Sequence, residues 1–124
     1  MEESFVVGFF VDESSDKEES TYIGGRFIPY IHELMEEHKN IVFLLPYGYA
    51  SSESVARAVR VVAKSHYGVN ARCRMVCGNS AKGVYEKMVD ISDFSFFYIA
   101  KDNCNISNIL NYAKETDKKY IKMK

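Results

Sequence analysis

The stretch FSFFYIAKDNCNISNILNYAK, from Phe94 to Lys114, decides the fold of this chain. It opens with a predominantly apolar run, Phe94 to Ala100, which is typical of a strand buried on both faces. A polar turn from Lys101 to Asn105 follows it. The next four apolar residues recur at helical spacing: Ile106, Ile109, Leu110 and Ala113. The strand, the turn and the helix are followed by a short apolar strand, Tyr120 to Met123. Together they predict a parallel strand–helix–strand crossover.

The loop of this unit is the first place to expect a ligand. In open parallel sheets, ligands lie beyond the carboxyl ends of the strands and over helix N-termini. Residues Lys101 to Ser107 occupy that position, and Asn105 or Ser107 is suited to cap the helix. We therefore predict Lys101, Asn103, Asn105 and Ser107 as ligand-binding residues.

The composition of the chain limits the classes of protein to which it can belong. A chain of 124 residues predicts one domain, spanning residues 1–124, with a core that needs no metal or disulfide. A formal net charge of −1 argues against general nucleic-acid binding. No apolar run is long enough to span a bilayer, and the acidic start Met1-Glu2-Glu3 lacks the positive charge of a signal peptide. We therefore expect a cytoplasmic protein without membrane or nucleic-acid partners.

The three cysteines, Cys73, Cys77 and Cys104, are expected to be free thiols in a reducing compartment. Their number is odd and no CxxC motif is present. Cys73 and Cys77 fall on one face of a predicted strand without further ligands, so no metal site is predicted. We expect the thiols to be buried as small apolar groups.

The first part of the chain predicts a buried strand and an acidic loop. Phe5 to Val11 is apolar throughout, and Gly8 within it marks close approach by a ligand or by a neighbouring element. Residues 12–21, DESSDKEEST, predict a mobile surface loop, either a lid or a solvated loop with no role. Gly24-Gly25 is expected to end this loop, and Phe27 to His38 predicts an amphipathic helix with Pro29 in its first turn.

The middle of the chain repeats the strand–helix pattern. Asn40 to Leu45 predicts a second buried strand, and Pro46 to Tyr49 a turn. Ser51 or Ser52 is expected to cap the next helix. Ala71 to Cys77 alternates arginines with apolar residues, which predicts an edge strand with one wetter face.

A short helix from Lys82 to Ile91 leads back to the strand that begins at Phe94. Strands and helices therefore alternate along the whole chain. This predicts a single Rossmann-like α/β domain in three layers, with a five-stranded, mainly parallel sheet and helices on both faces. We predict the strand order 3-2-1-4-5, with the switch point between the first and fourth strands. Phe9, Phe10 and Val11 would then face Lys101 to Ser107 across a crevice.

Two stretches carry a resemblance to a known family. The first is KMVDISDFSFFYIAKDNCNISNILNYAKETDKKYIKM, and the second is FLLPYGYASSESVARAVRVVAKSHYG; together they cover about half of the chain. The matching residues of the first are Met88, Val89, Asp90, Asp93, Phe97, Tyr98, Ile99, Tyr112, Ala113 and Lys114. On these residues the chain resembles a small bacterial branch of the SLOG superfamily. That superfamily comprises Rossmann-like proteins, including lysine-decarboxylase-like phosphoribohydrolases and sensor domains for nucleotide-derived signals.

The chain departs from that branch where the ligand would bind. Asn103 to Ser107 stands where the branch has a glycine pair, and Phe9 to Asp12 replaces its first glycine loop. The catalytic arginine and the glycine-threonine-glutamate signature of the phosphoribohydrolases are absent from the sequence. The resemblance thus implies the fold and a nucleotide-related ligand, and no catalytic residue carries over.

Three functions remain open from the sequence. The first is non-catalytic binding of a nucleotide or nucleotide-derived signal, for sensing or sequestration, with Phe10 or Tyr47 stacking on the base. The second is a protein-interaction domain that has lost its ligand, and the third a hydrolase of nucleotide N-glycosidic bonds using Asp12 or Asp102. No cofactor is predicted, and a homo-oligomer is expected. The predicted ligand-binding residues are Gly8, Phe9, Phe10, Tyr47, Gly48, Ser51, Ser52, Lys101, Asn103, Asn105 and Ser107.

Overall fold

The computed structural model describes residues 4–11, 22–99 and 105–123. Five strands and four helices alternate along these residues, and their bounds are as follows: β1 Phe5–Val11, α1 Gly24–Glu37, β2 Asn40–Pro46, α2 Ala50–Ala63, β3 Asn70–Val76, α3 Ala81–Ile91, β4 Phe94–Tyr98, α4 Asn105–Glu115 and β5 Tyr120–Met123. The predicted loop 12–21 and the residues Lys101, Asn103 and Cys104 lie outside the described part of the chain.

The sheet has the order β3-β2-β1-β4-β5, and every described strand pair is parallel. This confirms the predicted fold class and strand order. The chain runs outward from β1 to β3 and then returns to place β4 on the other side of β1. The switch point therefore lies between β1 and β4, as the sequence predicts.

Two separate apolar layers hold the helices on the sheet. On one face, Phe9, Phe43 and Phe96 pack with the buried residues of α1 and α2. On the other, Phe10, Leu44 and Phe97 pack with α3 and α4. Consecutive side chains of a strand point to opposite faces, so the continuous apolar runs of β1 and β4 supply both layers.

Helix α1 begins at Gly24, three residues before the predicted start at Phe27. The Gly24 backbone N–H donates a 2.8 Å hydrogen bond to Ser54 Oγ of α2. A Cβ on Gly24 would lie 2.2 Å from the Ser54 carbonyl oxygen, so only glycine permits this crossing. Gly24-Gly25 therefore opens the helix instead of ending the loop, and Pro29 lies within the helix and not in its first turn.

The α3–β4 connection lies against the amino half of β1. The Asp93 N–H donates to the Val6 carbonyl oxygen at 2.7 Å, and the Val6 N–H donates to Asp93 Oδ2 at 2.9 Å. A Cβ on Gly8 would meet Ser92 Oγ at 2.8 Å. The element that approaches Gly8 is therefore this connection.

Within the described residues, no helix is both long enough and apolar enough to cross a bilayer. The longest of them, α1 and α2, have 14 residues each.

Gly24→Ala is expected to lower the free energy of unfolding by about 3 kcal/mol, because the new methyl group must push α1 away from the Ser54 backbone. Gly25→Ala is the matched control. Its Cβ would meet nothing within 4 Å, and we expect it to raise stability by about 0.5 to 1 kcal/mol. Urea unfolding of both variants measures the difference. Equal stability of the two would contradict the close approach of α1 and α2.

Ser95→Ala is expected to stabilise the fold by about 1 kcal/mol, because a buried hydroxyl without a partner is costly. Ser95 is buried in β4, and its Oγ has no hydrogen-bond partner in the described part of the chain. Ser92→Ala is the control, since the Ser92 hydroxyl donates a 2.6 Å bond to the Met88 carbonyl oxygen and its loss should destabilise. If Ser95→Ala destabilised as much as Ser92→Ala, the Ser95 hydroxyl would have a partner.

Candidate functional site

Two clefts lie side by side at the carboxyl edge of the sheet, beyond β2 and β3. The first has a volume of about 190 Å³ and the second about 300 Å³. The first is lined by Pro46, Tyr47, Tyr49, Val76, Cys77, Gly78, Ser80, Val84 and Tyr85. The second is lined by Tyr47, Gly48, Tyr49, Ala50, Ser52, Glu53 and Met75. Tyr47 and Tyr49 belong to both, so the loop after β2 forms their shared wall.

Hydrogen bonds at both ends fix this loop. The Tyr47 N–H donates to the Val76 carbonyl oxygen at 2.9 Å, which ties the loop to the end of β3. The Ser52 hydroxyl donates to the Pro46 carbonyl oxygen at 2.6 Å. Gly48 has φ +95°, a conformation that favours glycine and turns the chain into α2. The Tyr47 side chain is 70% exposed on this anchored backbone, so a binding partner would meet it already positioned.

The N-terminus of α2 differs from the prediction. Tyr49 occupies the N-cap position, and no side chain caps the helix there. Ser51 and Ser52 are both buried within the first turn, because the helix begins one residue before Ser51. The prediction that one of them caps α2 is therefore wrong, and Ser52 instead anchors the preceding loop.

The N-terminus of α3 borders the first cleft through its N-cap residue, Ser80. Ser80 Oγ accepts a 3.1 Å hydrogen bond from the Gly83 N–H. The sequence analysis missed this side of the site, because it gave no functional role to the segment Gly78-Asn79-Ser80 between β3 and α3. The usable signal was its position: a serine at an N-cap, directly after a strand, lies at the carboxyl edge of a parallel sheet.

The structure brings together part of the predicted site. Tyr47, Gly48 and Ser52 line the clefts, whereas Ser51 is buried beside them. Lys101 and Asn103 lie outside the described residues. Asn105 begins α4, and Ser107 is partly buried in its first turn.

Phe9 and Phe10 lie in the core instead of lining a crevice. The Phe10 ring stacks on Phe97 at 4.7 Å between centroids and receives Tyr85 edge-on at 5.8 Å. Phe9 stacks on Phe96 at 5.1 Å. The prediction that Phe9, Phe10 and Val11 face a crevice is therefore wrong. Both rings are fully buried and offer no face to a base, and Val11 is buried in the layer that contains Phe9.

Charge at the switch point comes from a residue that the sequence did not single out. Arg26, in the first turn of α1, holds its guanidinium carbon 5.7 Å from the ring centroid of Tyr98 at the end of β4. Glu53 places a carboxylate on the second cleft. Both clefts adjoin the positive end of a helix dipole, that of α3 in the first and that of α2 in the second, and the Glu53 carboxylate makes the second less suited to phosphate.

The cysteines of β3 also differ from expectation. Cys73 and Cys77 are exposed, because β3 lies at the sheet edge and the helices pack mainly over the central strands. Although part of Cys73 reaches solvent, its surroundings remove water from the thiol and raise its pKa to about 11, against a smaller lowering by Arg60. A thiol with that pKa is protonated at neutral pH and is a poor nucleophile.

Among the residues that the structure describes, no three His, Cys, Asp or Glu side chains come close enough to hold a metal ion. Scans of family models, curated proteins and solved structures find no match to this chain. The resemblance to the SLOG superfamily therefore stays a prediction.

The alkylation rate of Cys73 is expected to keep rising with pH beyond 9, by about tenfold per unit, because the reactive thiolate increases until the pKa near 11 is reached. Iodoacetamide labelling of a Cys77→Ser, Cys104→Ser variant, followed by mass spectrometry, measures this rate. Arg60→Ala should slow the reaction further, since it removes the charge that lowers the pKa. A rate that is half-maximal near pH 9.0 and levels off above it would show an unshifted thiol.

Proposed function

We propose that this protein binds a nucleotide or a nucleotide-derived signal without catalysis, for sensing or sequestration, at the carboxyl edge of its sheet. The observation that carries the proposal is the placement of Tyr47. Its ring is 70% exposed, its backbone is anchored, and it forms a wall of both clefts. Aromatic stacking is the interaction that every base accepts.

The surrounding groups support one orientation of the ligand. With the base on Tyr47, the phosphate would lie toward the first cleft and the α3 N-terminus, where a negative charge is stabilised. Ribose hydroxyls would lie toward Glu53 in the second cleft, since a carboxylate accepts hydrogen bonds from hydroxyl groups. The reverse orientation would bring the phosphate against the Glu53 carboxylate.

The predicted SLOG resemblance points to the same class of ligand. Nucleotide sites in parallel α/β sheets lie at the carboxyl ends of the strands, which is the edge where Tyr47 stands. Here the clefts lie beyond β2 and β3, next to the switch-point strands.

A protein-interaction domain is the second candidate, and cleft size favours it. The first cleft, at about 190 Å³, is smaller than the roughly 300 to 1,000 Å³ of most small-molecule sites. An exposed tyrosine on a rigid loop is also a common anchor in protein interfaces. A partner protein would then cover Tyr47 in place of a base.

Tyr47→Ala is expected to weaken nucleotide binding by roughly 5- to 150-fold, which corresponds to about 1 to 3 kcal/mol of lost stacking. Tyr47→Phe should keep most of the affinity, because it keeps the ring. The measurement is a thermal-shift panel of AMP, cyclic AMP, GMP and ADP-ribose, followed by calorimetry on any nucleotide that raises the Tm.

Tyr67→Ala is the matched control, because Tyr67 is 96% exposed but lies in the loop before β3, away from the clefts. It should bind like the unchanged protein. No shift with any nucleotide would overturn the proposal in favour of the interaction domain. Equal affinity of Tyr47→Ala and Tyr67→Ala would place the nucleotide elsewhere.

A further inference from the structure

The outer edge of β3 is a row of seven residues beside which the described residues place no further strand. All seven residues from Asn70 to Val76 pair one-to-one with Asn40 to Pro46 of β2, and β3 ends the sheet. The strand contains no proline, and its register has no bulge. Proline and a bulge are two of the devices that keep an edge strand from pairing, and β3 has neither. Its charged residues, Arg72 and Arg74, leave the backbone open to strand addition by a segment of opposite charge.

The register identifies which backbone groups point outward. The Asn70 N–H donates to the Lys39 carbonyl oxygen, and the Val76 carbonyl oxygen accepts from the Tyr47 N–H. Even-numbered residues of β3 therefore direct their N–H and C=O toward β2. Because backbone groups alternate along a strand, Ala71, Cys73 and Met75 direct theirs to the outer edge.

The side chains of β3 give the edge two chemically different faces. Arg72 and Arg74 lie opposite Val42 and Leu44, on the sheet face covered by α3 and α4. Arg72 makes a 3.4 Å contact with Ser4 Oγ, and Arg74 has no hydrogen-bond or ion-pair partner among the described residues. On the other face lie Cys73 and Met75, of which Met75 is 40% exposed.

We propose that the β3 edge binds an extended peptide segment of a partner protein, in which carboxylate and apolar residues alternate. The peptide would add a sixth strand by bonding to the backbones of Ala71, Cys73 and Met75. Alternate side chains of an added strand point to opposite faces. Its carboxylates would therefore meet Arg72 and Arg74, and its apolar side chains would meet Met75.

A second copy of this chain is a poorer occupant of the same edge. An antiparallel pairing centred on Cys73 would place Arg72 of each copy directly opposite Arg74 of the other. Like charges at directly opposed positions destabilise a strand pair. Charge thus disfavours self-association through β3 and favours an acidic partner.

The probe is a labelled, end-capped peptide of seven alternating glutamate and valine residues, matched in length to β3. Its control has the same residues in two blocks, with equal charge and composition but no alternation. Fluorescence anisotropy should show binding of the alternating peptide roughly tenfold tighter than that of the block peptide. Equal affinities of the two peptides would show that only non-specific charge attraction holds them, and would overturn the proposal.

Charge reversal tests the arginine face. The double variant Arg72→Glu, Arg74→Glu should bind the alternating peptide roughly tenfold more weakly. Lys87→Glu, Lys114→Glu is the matched control, because both lysines are exposed on helices, α3 and α4, outside β3, and the net charge changes equally. Equal loss in both double variants would contradict a site at β3.

Amide exchange tests the backbone contact itself and needs no variant. In the free protein the amides of Ala71, Cys73 and Met75 should exchange faster than those of Arg72 and Arg74, and the peptide should protect them selectively. N-methylation of the peptide amides that face β3 should abolish binding. N-methylation of the alternate amides, which face away from β3, should leave binding intact. Binding without this protection would overturn strand addition. Protection that appears without peptide as protein concentration rises would assign the edge to a second copy.

Discussion

The structure depends on the pairing of β1 with β4, which places Phe9 beside Phe96 and Phe10 beside Phe97. Because neighbouring residues of a strand point to opposite faces, one pair stacks in each apolar layer, at 5.1 and 4.7 Å. Phe27 of α1 packs edge-on against Phe9, and Tyr85 of α3 packs edge-on against Phe10. The same strand pair thus joins the two halves of the sheet and supplies the surface on which helices of both layers rest.

This central packing restricts where a ligand can be recognised. The rings of Phe9 and Phe10 are needed in the core, and so the carboxyl end of β1 presents no aromatic face to solvent. At the carboxyl edge of the sheet, Tyr47 directly after β2 is an aromatic residue that the core does not use. Its neighbours Pro46 and Ser52 hold the loop by a 2.6 Å hydrogen bond, so the exposed ring stands on a rigid base. The aromatic residues of β1 therefore contribute to the stability of the core, and the proposed recognition of a ligand falls to the loop after β2.

The sequence was sufficient to predict the order of the strands and helices. It was insufficient to predict which side chains are buried and which are exposed. Apolar runs such as NIVFLL, alternating with amphipathic segments, determine a parallel sheet, and the switch-point rule then yields the strand order. An apolar run does not reveal which of its last residues emerge into a crevice, and Phe10 was misplaced for that reason. Gly24 has no helical preference of its own; its contact with Ser54 of α2, thirty residues away, decides where α1 begins. Cys73 looks like a core residue in sequence and is exposed because β3 is at the edge.

The two proposed sites meet at one residue. The Met75 side chain lines the second cleft, and its backbone N–H and C=O lie on the outer edge of β3. The Tyr47 N–H also bonds to Val76, so the loop that carries the stacking ring is tied to the same strand. A peptide added along β3 would order the Met75 backbone, which forms one rim of the nucleotide cleft. Because linkage between two ligands is reciprocal, any factor by which the peptide changes nucleotide affinity must equal the factor by which the nucleotide changes peptide affinity. Met75 is the residue that the two sites share, so a Met75 substitution is the one expected to affect both.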